Sequence, residues 1–257
     1  MKMQVCVFPK LEEIHLSKMN RLTDIWQTEV SVDSFSNIIS VKIEECYKLN
    51  KIFPSHMKGW VECLDNLTVC SCESVEVIFE INDYEKIDEF GGINTNLQVI
   101  LLENLPKLKQ LWSTDPGGIL NFKKLRAMDV CDCDELINLF PASVAEDVPK
   151  LERISTLYCE KMVEIVTSQD ASYANNDPLV FPELTCVRLE WLPNIKRFCK
   201  GKHLIKCPKL KQFSIHKRVK LNTFLKEINE TTNKEEKCVF SAEEVTNITT
   251  FFDVRFL

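Results

Sequence analysis

The stretch LRAMDVCDCDELINLF, residues 125–140, holds two readings at once. Met128 and Val130 alternate with polar neighbours, the period of a short strand buried on one face. Cys131 and Cys133 sit one residue apart among three acids, and such a pair can ligate a metal. A cysteine without that role is a small buried apolar residue. VCSCESV at 69–75 repeats the arrangement, so the spacing of the rest of the chain decides between the two.

The frame L-x-x-L-x-L-x-x-[C/N/L]-x-x-L-x-x-[I/L/F] recurs eight times, starting at Leu11, Ile38, Leu64, Leu97, Leu125, Leu151, Leu184 and Leu210. This is the leucine-rich-repeat pattern, with cysteine admitted at its ninth position. The starts are 27, 26, 33, 28, 26, 33 and 26 residues apart. A longer period lies over the first: Leu11 to Leu97 is 86 residues, and Leu64 to Leu151 and Leu97 to Leu184 are each 87. Three repeat types therefore cycle. The first carries Met19–Leu22, Leu105–Leu108 or Leu192–Ile195 after its strand; the second carries a cysteine and ends in Phe53-Pro54 or Phe140-Pro141; the third carries a cysteine and ends in V-I or I-V. The longer units hold polar insertions at 81–96 and 167–179, which read as loops.

Burial explains why the pattern makes a solenoid. Positions 4 and 6 supply apolar pairs such as Val41/Ile43, Leu67/Val69 and Ile100/Leu102, and only Ile154/Thr156 departs from this. One short strand cannot bury such a face, so successive coils stack into a parallel sheet over a continuous core. Prolines at 54, 106, 141, 149, 182, 193 and 208 argue against long helices on the outer side. The expected fold is α/β: a horseshoe-shaped leucine-rich-repeat solenoid with a parallel β-sheet on the concave face and a mostly irregular or short-helical convex side. About eight repeats span residues 8–224. Residues 1–7 read as the remnant of a preceding coil, with the chain continuing N-terminally in a parent protein. In 225–257 a polar linker precedes a capping helix, since Ser241 and Glu244 fit a capping box and Val245, Ile248 and Phe252 share a helical face.

The bulk composition agrees with a soluble repeat protein. Of 257 residues, 45% are hydrophobic and 27% charged. The opening MKMQVCVFPKLEE lacks the apolar core of a secretory signal, and no stretch approaches a membrane span, so a cytoplasmic location and reduced thiols are expected for the twelve cysteines. The net charge of −6 is uneven: Lys196 to Lys220 hold ten Lys or Arg and no acid, whereas Glu80–Glu89 hold five acids and one lysine.

Candidate sites follow from the register. Positions 5, 7 and 8 flank the buried pair and are expected on the concave surface, while position 9 turns back inward. Leu101, Leu157, Tyr158 and Trp191 are apolar or aromatic where solvent should be, and aromatic or arginine anchors dominate binding hot spots. With Lys42, Glu103, Asp129, Arg188 and Glu190 they form the candidate partner-binding face. The most metal-like spacing is Cys199-x3-His203-x3-Cys207, but Cys207-Pro208-Lys209-Leu210 copies Phe8-Pro9-Lys10-Leu11, which makes Cys207 a core residue. Cys70 and Cys131 are the outward cysteines, two coils apart and about 10 Å from each other by strand spacing. His15, His56, His203 and His216 fall in different coils without a nucleophile or carboxylate at a motif spacing, so no enzyme, metal or cofactor is expected. The basic run reads as a patch rather than a groove; nucleic acid, an acidic lipid surface and an acidic protein are each open to it, with nucleic acid the least expected.

Phe122–Pro141, Leu151–Val166 and Phe181–Phe198 together carry the cycle of cysteine-bearing, C-E-x-M-V-E-I-V and L-P-x-[LI]-K repeats. In this the chain resembles the C-terminal leucine-rich repeats of plant intracellular disease-resistance proteins of the coiled-coil, nucleotide-binding class. The resemblance covers about five-sixths of the chain. It implies a non-catalytic module that senses a pathogen effector or a guarded host protein, or restrains the nucleotide-binding domain of a parent receptor. The phosphate-cradling G-x-x-x-x-G-K-[ST] is absent from these residues, so this chain alone is not expected to bind ATP. The alternative is a stand-alone scaffold or adaptor with no immune role.

Overall fold

The computed structural model describes residues 8, 10–26, 35–55, 61–81, 92–167, 178–199, 204–216, 239–241 and 247–249. Eight five-residue strands, one per coil, occupy positions 3 to 7 of the repeat: Glu13–Ser17, Ser40–Glu44, Asn66–Cys70, Val99–Glu103, Ala127–Cys131, Arg153–Leu157, Cys186–Glu190 and Gln212–His216. They lie in chain order in one parallel sheet, which the short strand Asn247–Thr249 extends to nine. Pairing is position for position: Ile100 opposes Met128, Met128 opposes Ile154, and Ile154 opposes Val187. A slip of one residue in any pair would turn its whole inward set outward, which equal spacing of the apolar pairs avoids.

Position 4 and position 6 side chains from coil 2 to coil 8 are all buried, Thr156 included. Thr156 follows its neighbours inward because the pleat leaves it no choice, and its hydroxyl has no hydrogen-bond partner there. Position 9 is buried as expected at Cys46, Cys72, Leu105, Cys133, Cys159 and Leu192. Four of these cysteines donate Sγ–H to the position 7 carbonyl of their own coil: Cys46 to Glu44 at 3.4 Å, Cys72 to Cys70 at 3.3 Å, Cys133 to Cys131 at 3.4 Å and Cys159 to Leu157 at 3.3 Å. A small apolar body with one weak donor suits a site where the chain doubles back over its own strand.

The sixteenth position builds a second spine. Trp26, Phe53, Phe79 and Trp112 stack in sequence, with ring centroids 6.0, 5.3 and 6.2 Å apart. Phe140 continues the line at 6.4 Å from Trp112. Beyond it Val166 and Cys199 take the same position, still buried. One continuous core runs from Trp26 to Ile215.

The convex side carries a single five-residue helix among the described residues, Ala142–Glu146, directly after Pro141. Short parallel strands line the returning segments: Lys51–Phe53, Val77–Phe79 and Gln110–Trp112 form one set, and Phe140–Pro141, Glu164–Thr167 and Arg197–Cys199 another. The end of the first insertion is strand rather than loop, since Ile93–Asn94 pairs with Leu120–Asn121. Gly118 makes that turn with φ 77°, and a side chain on Gly92 would collide with the Gly118 carbonyl, its Cβ only 2.9 Å from the oxygen.

The capping helix expected at the C-terminus falls mostly outside the described residues, Glu244, Val245 and Phe252 among them. Where the tail is described it is extended: Val239–Ser241 pairs with Leu204–Lys206, and Asn247–Thr249 pairs with Gln212, Phe213 and Ser214. The strand of coil 8 would otherwise present an unpaired row of backbone groups, and Ile248 and Thr249 are β-branched residues suited to joining it. Ile248 thereby takes the register of a position 4 residue.

Candidate functional site

A five-residue strand turns three side chains to its open face, at positions 3, 5 and 7, and two to the core. The open face therefore has three rows. Position 5 brings Lys42, Thr68, Leu101, Asp129, Ser155 and Arg188 side by side, and position 7 brings Glu44, Cys70, Glu103, Cys131, Leu157 and Glu190. Position 3 adds Asn66, Val99, Ala127, Arg153 and Cys186, which the reading of the sequence left out although alternation from position 5 places them there. Leu101, Asp129, Cys131 and Leu157 are all half-buried, so the middle of the sheet is a shallow, partly apolar floor.

Position 8 does not continue this alternation, and the expectation that it lies on the sheet face is corrected. Pairing stops at position 7, and every described position 8 residue has a left-handed backbone: Lys18, Glu45, Ser71, Asn104, Asp132, Tyr158 and Trp191 have φ between 52° and 59°. The N–H groups of the first six bond to the position 7 carbonyl of the next coil, as Asp132 does to Leu157 at 3.0 Å and Tyr158 to Glu190 at 3.0 Å. The left-handed residue swings the chain off the strand and sends position 9 into the core. Tyr158 and Trp191 therefore stand on the rim of the face, where their rings stack with centroids 5.7 Å apart and planes 21° from parallel. Tyr158 is 44% exposed.

Of the nine candidate residues, eight fall together on coils 4 to 7: Leu101, Glu103, Asp129, Leu157, Tyr158, Arg188, Glu190 and Trp191. Lys42 is separated from them by the strand of coil 3. It hydrogen-bonds Glu44 at 2.9 Å, and that contact, reinforced by His15, holds the Glu44 carboxyl below the usual carboxylate range. Within the group of eight, charges are tied to one another. Arg153 grips Asp129 with both donors, at 2.9 and 2.6 Å, and Arg188 lies along Glu190 with its second contact at 3.2 Å. These pairs orient the guanidinium planes on the floor rather than stabilising the fold, since exposed ion pairs contribute little.

The outward cysteines are not activated. Burial pushes the thiol of Cys70 up to about 11 and that of Cys131 up to about 12, and Cys131 Sγ donates to Asp132 Oδ2 at 3.1 Å. A thiol held protonated by desolvation and a neighbouring carboxylate is a poor nucleophile and a poor metal ligand. Cys199 and Cys207 are both in the core, and burial raises the Cys207 thiol to about 12; His203 lies outside the described residues. Among the described residues no three His, Cys, Asp or Glu side chains come close enough to hold a metal ion. Half of the basic run is described, and two of its charges are already paired, Arg197 with Glu164 at 2.8 Å and Lys209 with Glu183 at 2.7 Å. Lys200, Lys202, Lys217, Arg218 and Lys220 lie outside the described residues.

A groove of about 680 Å³ runs along the opposite ends of the strands, between Lys124, Arg126, Pro149 and Pro182. Two of its cations already have partners, Arg126 in an ion pair with Glu152 at 2.7 Å and Lys124 donating to the Asn96 amide oxygen at 2.6 Å. No helix among the described residues is long and apolar enough to cross a membrane.

Residues 10–160 match the family model described as plant disease resistance protein RPS2-like, leucine-rich repeats. The chain is 28% identical over 160 residues to an Arabidopsis thaliana protein, At4g19050, named as a disease resistance protein. That match covers 60% of this chain but 12% of the longer protein. No solved structure matches the chain. The strand register, the inward ninth position and the matched span agree, and the chain belongs to the RPS2-like leucine-rich-repeat family of plant disease resistance proteins.

Proposed function

We propose that the open face of the sheet, from coil 4 to coil 7 with its aromatic rim, is the protein-recognition surface of a plant immune receptor. It engages a pathogen effector, a guarded host protein or the nucleotide-binding domain of the parent receptor, and it does so in the cytoplasm and without catalysis. The observation that carries this reading is the Tyr158–Trp191 stack, two large rings held side by side on adjacent coils at backbone positions that point them away from the core. Rings so placed bury a large area on docking and lose little side-chain freedom. Leu101 and Leu157 extend the apolar part of the surface, and the Arg153–Asp129 and Arg188–Glu190 pairs give it polar edges with fixed orientation.

The direct test uses a partner identified by pull-down with the intact chain. Replacing Trp191 and Arg188 together by alanine is expected to abolish binding while the far-ultraviolet circular dichroism and the urea midpoint stay near those of the parent. Unchanged affinity for the partner would refute the assignment.

A further inference from the structure

The rim around Tyr158 has an electrostatic character that narrows what docks there. Asp132 stands at the left-handed position of coil 5, next to Tyr158 at the same position of coil 6. Glu103 lies on the neighbouring floor, opposite Cys131. Asp134 and Glu160 hold the tenth position of the same two coils and are exposed. Three cations of this region are engaged elsewhere, Arg153 with Asp129, Lys161 with Glu135 at 2.7 Å and Arg188 with Glu190, and the exposed Lys107 of coil 4 stands at the eleventh position, past the rim. Among the described residues no Lys, Arg or His forms an ion pair with Glu103, Asp132, Asp134 or Glu160. An acidic rim by itself is an ordinary solvated surface, but this one borders the exposed Tyr158 ring of the aromatic stack, and an aromatic π-face attracts cations.

We infer that the occupant of this rim is an arginine- or lysine-bearing extended segment of the partner protein, its cationic head over the Tyr158–Trp191 rings and within reach of Asp132 and Glu103. The inference rests on the recognition face proposed above and specifies its ligand chemistry. Arginine suits the site better than lysine, because a planar guanidinium stacks on a ring and meets a carboxylate edge at the same time. A nucleic acid or an acidic peptide would meet like charge here.

The test titrates the full chain with a fluorescent peptide alternating arginine and glycine, beside its glutamate counterpart. The arginine peptide is expected to bind, and more weakly as salt is raised. Asp132→Asn combined with Glu103→Gln should weaken it about fivefold or more, as should Tyr158→Ala alone. Asparagine is at ease in a left-handed backbone, so the double variant keeps the turn. Asp24→Asn with Glu62→Gln removes the same charge from exposed positions on other parts of the coils and should change affinity less than about twofold. Equal losses from the two double variants, binding of the glutamate peptide as tight as that of the arginine peptide, or an unchanged affinity in Asp132→Asn/Glu103→Gln would each overturn the inference. If an identified partner is lost on Trp191→Ala but binds Asp132→Asn/Glu103→Gln normally, the recognition face stands and the cationic occupant falls.

Discussion

Cysteine at position 9 shows how one residue type serves opposite roles two positions apart. Cys133 is fully buried, its thiol raised first by the hydrogen bond with Cys159 and then by burial, and it closes the turn onto the Cys131 carbonyl. Cys131 itself looks outward from the sheet and is only half-buried. Alkylation requires both access and thiolate, and burial holds both Cys70 and Cys131 above the ordinary thiol value. In the native chain the more accessible Cys70 and Cys131 should label before the buried Cys72 and Cys133, slowly at neutral pH and faster as pH rises toward the thiol values of about 11 for Cys70 and about 12 for Cys131. Site-resolved mass spectrometry with a time course of iodoacetamide checks this; faster labelling of Cys72 and Cys133 would contradict the register. The inward ninth position was legible beforehand because a cysteine or leucine recurs there in every coil from the second to the seventh. The thiol-to-carbonyl bond was not, since it depends on where the backbone doubles back.

The strand and its closing turn form the unit that the repeat copies. Strand positions 4 and 6 can be read from alternation alone, and the pairing found is the one that alternation requires. The left-handed turn is invisible in the residue types that fill it, which are Lys, Glu, Ser, Asn, Asp, Tyr and Trp, because no glycine marks the place. What the list lacks is informative: no β-branched residue occurs in it, as expected where such a side chain would crowd the following carbonyl. Asp132→Val should accordingly destabilise the fold by about 1–2 kcal/mol relative to Asp132→Asn, read as a shift of the urea midpoint at unchanged slope. Equal stability of the two would mean that the turn is not constrained. The same geometry explains why Tyr158 and Trp191 could be singled out by their apolar character while their place on the rim could not be read from the chain. It also explains why Arg153, at the start of its strand, went unnoticed until its grip on Asp129 was seen.

At the scale of the whole molecule, each coil touches mainly its neighbours, so stability adds up along the stack and the exposed strand edges are its weak points. Equivalent positions on adjacent coils are also joined across the surface, as Glu135 to Lys161 and Glu76 to Lys109 are, both at eleventh or thirteenth positions of the repeat. The repeating body could be foreseen from Leu11 to Ile215 because burial imposes one period on it. The tail carries no copy of the frame, and its strands arise from what the edge of coil 8 lacks. A surface composed of one row from each of several coils is the form of site such a stack produces, with specificity set by outward residues that the fold leaves free. The most direct measurement of the central claim is hydroxyl-radical footprinting of the complex with an identified partner. The account predicts that Leu157, Tyr158 and Trp191 lose labelling on binding, while Ile137 and Val180, 49% and 45% exposed away from the face, keep theirs. Protection of Ile137 or Val180 with Tyr158 and Trp191 unchanged would contradict it.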